Sequence, residues 1–188
     1  MSVELCRCAW ATSDPLYMRY HDEEWGTPSR DDRHLFEMLI LEGAQAGLSW
    51  ITILRRREGY RAAFDGFDPA KIVDYGDADL VRLMDDSRII RNRAKIHSTI
   101  SNAKAFLRVA EEFGSFASYL WGFSENEPII NYWKEVGELP AETEFSRSIS
   151  KDLKQRGFSF VGPTIIYSYL QAVGVIDDHV ISCFRRQG

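Results

Sequence analysis

RSISKDLKQRGFSFVGPTIIYSYLQAVG, residues 147–174, reads as helix, glycine-bracketed turn, helix. The first helix ends at Gly157. The second has Pro163 at its first position and Gly174 just past its end, the asymmetry that helix termini favour. Between them lies GFSFVG, closed by Gly157 and Gly162. A short glycine turn ahead of a helix can present backbone N–H groups to a phosphate, aided by the helix dipole. The same pattern also suits an ordinary helical hairpin. Outward from this stretch the chain stays helical. DDRHLFEMLILEGAQAG predicts a helix over about 32–46, with acids at its start and Gly47 at its end. SWITILRRREGYRAAF predicts a second, opened by Ser49. DPAKIVDYG and GDADLVRLMDDS carry Asp caps ahead of short helices. NRAKIHSTISNAKAFLRVAEEFG predicts a long helix closed by Gly114, and SFASYLWGF another. Residues 125–146 have weak periodicity and two prolines, and read as a loop. No period-two strand pattern occurs, so the expected class is all-α.

The bulk numbers agree with one domain over 1–188. Of 188 residues, 45% are hydrophobic, enough to bury a core, and 27% are charged without a biased tract. No run is long and apolar enough for a membrane span. MSVELCRCAWATSDPLY lacks the basic-then-apolar order of a signal peptide. A cytoplasmic monomer is the expectation. The net charge of -5 argues against nucleic acid only on average, because a phosphate backbone feels local patches. Residues 88–104 form one such patch, with five Lys/Arg and no acid. Arg55, Arg56, Arg57 and Arg61 add to it, while Lys151, Lys154 and Arg156 precede the 157–162 turn.

Three cysteines, Cys6, Cys8 and Cys183, are too few for a disulfide framework. His179 and Cys183 stand four apart, which is half of a zinc site at helical spacing. Cys8 and His21 could complete a closed Cys2His2 set, with Cys6 as an alternative to Cys8. Four protein ligands leave no open position, so the metal would be structural and would clip the chain ends together. A buried Cys beside a packed His is the competing account. His34 and His97 are expected to be solvated.

On the 32–46 helix, Leu35, Met38, Leu39 and Ala46 share one face at 100° per residue, and Glu42 falls in the middle of it. Glu37 falls nearly opposite and is expected to be a solvated surface charge. A buried carboxylate must be paired, hydrogen-bonded or protonated. Gly43, Ala44 and Gly47 let another segment or a ligand come close, and Trp50 follows. A carboxylate beside an aromatic face suits a flat, polar, cationic ligand. Trp10, Tyr17, Tyr20 and Trp25 gather in an irregular segment, where they serve either as core or as the walls of a base-sized pocket.

CAWATSDPLYMRYHDEEWG, LFEMLILEGAQAGLSWITIL, IIRNRAKI, RGFSFVGPTIIYSYLQAVGVIDDH and the final H-x3-C together resemble the DNA-3-methyladenine glycosylase I family. The resemblance runs from about Cys8 to Cys183, with several motifs in order. It implies a helix-hairpin-helix glycosylase fold and one structural zinc held by Cys8, His21, His179 and Cys183. It implies base recognition by Glu42, with Trp50, Tyr20, Trp10, Tyr17 and Trp25 in and around the pocket. Double-stranded DNA carrying alkylated bases would be gripped by the hairpin, at Gly157, Phe158, Phe160, Gly162 and Thr164. The implied reaction is hydrolysis of the N-glycosidic bond of 3-methyladenine, with Glu42 central and Asp177, two residues before His179, as a secondary catalytic candidate. Lyase members of the wider superfamily carry a Lys just after the hairpin. Pro163, Thr164 and Ile165 stand here, so a monofunctional enzyme is expected. A zinc-stabilised DNA-binding module without activity is the alternative.

Overall fold

The computed structural model describes residues 5–11 and 14–186. In chain order the elements are α1 (Pro15–Glu23), α2 (Asp32–Gln45), α3 (Trp50–Leu54), α4 (Arg57–Ala63), α5 (Pro69–Ile72), α6 (Asp77–Asp85), α7 (Arg93–Phe113), α8 (Phe116–Gly122), β1 (Ile129–Ile130), α9 (Glu144–Gln155), α10 (Pro163–Ala172) and β2 (Ile176–Asp177). The chain is mostly helical, as its pattern predicts.

Helix α2 is the axis of the molecule. It packs against α3, α7, α8 and α10, and every residue from Leu35 to Ala44 is buried. Asp31 caps its start, accepting from the His34 N–H at 2.8 Å. Lys95 of α7 caps its end, donating to the Ala44 and Ala46 carbonyls at 2.8 and 2.7 Å. Asp32 reaches across to α8 and accepts from the Phe116 and Ala117 N–H groups. Phe36 of α2 meets Phe106 edge-on at a centroid distance of 5.0 Å, and Phe106 stacks on Phe116 at 4.2 Å.

From Leu35 to Ala44, α2 has no solvated face, and this corrects the expectation for Glu37. Its side chain is buried between Arg57, at 2.6 Å, and Arg61, at 2.8 Å. Burial alone would push the Glu37 carboxyl up, but the two guanidinium groups outweigh it and hold the carboxyl below its ordinary range. Arg57 also donates twice to Glu24 at 2.7 Å, tying α4 to both α1 and α2.

Two further expectations are corrected. The single helix expected from Ser49 is broken into α3 and α4. Arg55 and Arg56 close tight turns onto Ile51 and Ile53 there, without a Pro or Gly to mark the break. The 125–146 stretch is not wholly irregular. β1 pairs in parallel with β2, Ile129 opposite Ile176 and Ile130 opposite Asp177, and this pins the excursion beside the segment that carries His179. Among the described residues no helix is long and apolar enough to cross a membrane.

Candidate base-binding cleft, hairpin and metal cluster

Helices α1, α2, α3 and α10 surround an open cleft of about 220 Å³, walled by Trp10, Tyr17, Tyr20, Trp25 and Trp50. That is room for one small flat ligand, below the usual range for drug-sized sites. The rings form a contiguous set. Trp10 lies 4.9 Å from Tyr17 and 5.0 Å from Trp25, and Tyr20 lies 5.5 Å from Trp50. All five aromatic residues named from the sequence therefore meet in one place.

Glu42 also lines this cleft. It is 4% exposed, and burial pushes its carboxyl up from 4.5 to about 8. Among the described residues nothing hydrogen-bonds its Oε2, nor the indole Nε1 of Trp50. Buried polar atoms without partners cost free energy, and they mark where a ligand's polar edge would go. Burial and the nearby Glu42 carboxylate raise the Tyr20 and Tyr17 hydroxyls, so both stay protonated and able to donate.

Gly43 lies one residue on, where the α9–α10 turn crosses α2. A Cβ there would sit 3.2 Å from the Cβ of Phe160. The small residues after Glu42 thus admit a neighbouring segment, as their size suggests. The turn is built with care for its backbone. Gly157 and Phe160 have φ of +92° and +56°. Asn102 of α7 holds Ser159 on both sides, donating to its carbonyl at 2.9 Å and accepting from its N–H at 2.8 Å. Ser150 donates to the Val161 carbonyl at 2.6 Å. Thr164 is exposed, and Gly162 caps α10. Phe158 is different: it is buried near Phe116, with ring centroids 6.1 Å apart. Its side chain belongs to the core, so only its main chain is free to meet a neighbouring molecule.

The chain ends meet behind the aromatic wall. The ligand atoms of Cys8, His21 and Cys183 all lie within 4.8 Å of one another, and all three residues are buried. Cys183 Sγ is 3.4 Å from His21 Nε2, close to the roughly 3.5 Å edge of a tetrahedral zinc site with Zn–S of about 2.3 Å and Zn–N of about 2.0 Å. A hydrogen bond from the Cys8 thiol, with help from His21 and the Arg185 N–H, pulls the Cys183 thiol well below its ordinary range. Cys6 is exposed and stands outside this group. His179 also lies outside the tight trio, with its ring 5.0 Å from that of His21. Its Nδ1 meets Asp177 at 2.8 Å, while its Nε2 is buried without a partner among the described residues. His21 repeats the arrangement, with Nδ1 on Asp22 at 2.9 Å. A carboxylate on Nδ1 is the usual way to aim Nε2 at a metal.

Set against known proteins, residues 10–186 match the family model described as methyladenine glycosylase. The chain belongs to the methyladenine glycosylase family. DNA-3-methyladenine glycosylase 1 of Escherichia coli (strain K12) is 48% identical over 177 residues, covering 94% of this chain and 95% of that one. The DNA-3-methyladenine glycosylase of Haemophilus influenzae is 44% identical over 94% and 96%. A solved structure concerned with 3-methyladenine recognition by the Staphylococcus aureus 3-methyladenine DNA glycosylase I is 36% identical. It covers 97% of each chain with a TM-score of 0.94.

In this methyladenine glycosylase, Asp177 is not among the residues of the cleft wall. Its Oδ1 accepts from the His179 N–H at 3.0 Å and meets the ring at 2.8 Å. His97 is exposed as expected, but His34 is half-buried, and burial lowers it below its ordinary range despite Glu24 at 3.7 Å. The basic 88–104 stretch is partly spent inside the protein: Lys95 caps α2 and Arg88 pairs with Asp86 at 2.8 Å, while Arg91, Arg93 and Lys104 are exposed. Asn102, Ser168 and Gln171 escaped the sequence reading. Each sits on a helix face whose neighbours only the tertiary fold supplies.

Proposed function

We propose that this protein is a DNA glycosylase that hydrolyses the N-glycosidic bond of 3-methyladenine, releasing the free base and leaving an abasic site. The observation that carries the reading is the buried, unpartnered Glu42 carboxyl in an aromatic cleft, in a chain of the methyladenine glycosylase family.

Methylation at N3 makes the adenine of a nucleotide cationic. A base inside a duplex cannot reach such a cleft, so the nucleotide is turned out of the stack. The α9–α10 hairpin holds the backbone through the main chain of Gly157 and Gly162, the exposed edge of Phe160 and the Thr164 hydroxyl. The helix-hairpin-helix role of this turn rests on its strained, doubly anchored geometry. Once inserted, the base lies among Trp10, Tyr17, Tyr20, Trp25 and Trp50, whose π-faces attract a cation. Its positive charge favours the carboxylate form of Glu42, which then accepts from the base edge. Neutral adenine brings no charge to offset the ionisation of a buried acid, so the cleft discriminates by charge. The C1′–N9 bond breaks with its electron pair going to the base, which leaves neutral. Water adds to C1′ and gives up a proton. No general acid is needed, and developing sugar charge is offset by DNA phosphates. No lysine stands at 163–165 to form a covalent adduct, so the reading is of a monofunctional enzyme, acting as a monomer because one chain supplies both hairpin and cleft.

Zinc belongs to the same reading, held by Cys8, His21, His179 and Cys183 and serving only to hold structure. The unpartnered Nε2 of His179 supports a fourth ligand position, reached by a small ring movement toward the trio. Asp177 then orients His179.

Base release from methylated duplex DNA, resolved by chromatography, tests the proposal. Release of 3-methyladenine is expected. No release from folded, metal-replete protein would leave a DNA-binding module as the better account.

A further inference from the structure

Beyond Glu42, the cleft wall contains a second polar group whose orientation is fixed from behind. Gln171, on α10, lines the cleft beside Ser168, one turn earlier. Its Nε2 donates to Asp178 Oδ2 at 2.7 Å. Asp178 is 1% exposed and accepts three more bonds, from Asn131 Nδ2 at 2.7 Å, Trp133 Nε1 at 2.6 Å and the Tyr167 hydroxyl at 2.5 Å. Four donors fill the acceptor capacity of a carboxylate. The Trp133 indole and the amide NH2 groups can only donate, so Asp178 only accepts. The Gln171 amide therefore cannot turn over: its NH2 must face Asp178, and its carbonyl oxygen must face away. Among the described residues that Oε1 makes no hydrogen bond. The main chain is held as well, because the Gln171 carbonyl accepts from the Gly26 N–H at 3.0 Å, next to Trp25 of the aromatic wall.

We propose that Gln171 is a specificity-determining residue whose Oε1, locked as an acceptor by Asp178, reads the exocyclic amino group at position 6 of the flipped purine. This rests on the glycosylase reading and deepens it. Charge alone does not separate 3-methyladenine from 3-methylguanine, since N3-methylation makes both nucleotides cationic. Position 6 does separate them. A 6-amino group has two hydrogens, one for Glu42 and one for Gln171. A 6-oxo group would place an acceptor against two acceptors, and a site built for donors rejects such an analogue strongly. Asp178 acts through Gln171 and is a positioning residue.

The test measures release of 3-methyladenine and 3-methylguanine from the same methylated duplex DNA, by native protein and by Gln171→Met, which keeps the shape and removes the amide. The expected result is a fall of about tenfold in the adenine-to-guanine ratio, the value of one neutral hydrogen bond. Asp178→Asn, which frees the amide to turn over, should move the ratio the same way. An unchanged ratio in Gln171→Met, with both rates falling together, would overturn the proposal and leave Gln171 structural. Should either variant fail to fold, native protein decides. Free 3-methyladenine carries an amino group at position 6, where 3-methylhypoxanthine carries an oxo group together with one more ring N–H, and the oxo base is expected to bind at least tenfold more weakly. Equal binding would overturn the proposal. If native protein releases no 3-methyladenine at all, it is the glycosylase reading that fails.

Discussion

Glu42→Gln should make the free protein more stable and the enzyme worse, and both effects follow from one buried charge. Burial pushes the carboxyl from 4.5 to about 8. At 1.36 kcal/mol per pH unit, that disfavours the ionised form in the folded state by roughly 5 kcal/mol once the pH passes 8. The folded state holds its proton more tightly than the unfolded chain does. The stability Glu42 contributes is therefore fully present below pH 4.5 and is lost as pH rises through about 8. At pH 7 the loss is already roughly 3 kcal/mol. Glutamine has the same shape and no charge, so the variant should escape this loss. Its denaturant midpoint should exceed the native one at pH 8, and the two should converge near pH 4.5. Base release should move oppositely. A cationic base prefers the ionised carboxyl, so native kcat/KM should rise toward pH 8 and level above it. The variant should be flat with pH and, above pH 8, lower by about thirtyfold, since a charge-assisted bond gives way to a neutral one worth about 2 kcal/mol less. Urea titrations across pH 4.5–9 and single-turnover release over the same range measure both. A variant no more stable than native at pH 8, or one that keeps native kcat/KM, would refute the reasoning.

Other perturbations probe the frame. Arg57→Met should destabilise the protein by about 3 kcal/mol in urea titrations, because it strands Glu24 and Glu37 without their shared partner. Glu37, held below its ordinary range by Arg57 and Arg61, stabilises the fold above pH 4.5. That contribution should fade as pH drops through its lowered value, seen as a falling midpoint in acid. Gly174→Ala should cost about 3 kcal/mol, since φ is +71° and the new Cβ would stand 2.3 Å from the backbone of Thr27 and Pro28. Elemental analysis should find one zinc per chain. Cys183→Ser should lower both zinc content and melting temperature, and unchanged melting in metal-free protein would argue against a structural ion.

The sequence shows what periodicity and terminal chemistry encode. Pro163 and Gly174 mark α10 because proline and glycine act on their own backbone. Glu42 stood out because a charge broke an apolar stripe. Glu37 misled for the complementary reason: its face of α2 looks polar, and only the packing of α4 turns that face inward. The β1–β2 pair was invisible because two residues carry no alternation. The inward turn of the Phe158 ring is not legible either, because a turn composition does not say which ring points into the core. Gln171 and Asp178 could not be paired by sequence reasoning, since Asn131 and Trp133 reach Asp178 from a segment that reads as a loop.

The meeting of the chain ends also bears on when the protein becomes competent. The Cys183–His21 contact spans 162 residues, and closing a loop that long costs on the order of 4–5 kcal/mol of chain entropy. Trp25 stands with its ring 4.6 Å from that of His179, so one wall of the cleft leans on that closure. Contacts between residues so far apart in sequence are slow to form and easily lost by fraying. A molecule whose helices have formed but whose ends have parted would still carry its hairpin, yet it would have no walled pocket for a base. Grip on DNA and capture of a base would then be separate achievements of folding, with capture reserved for chains that have closed.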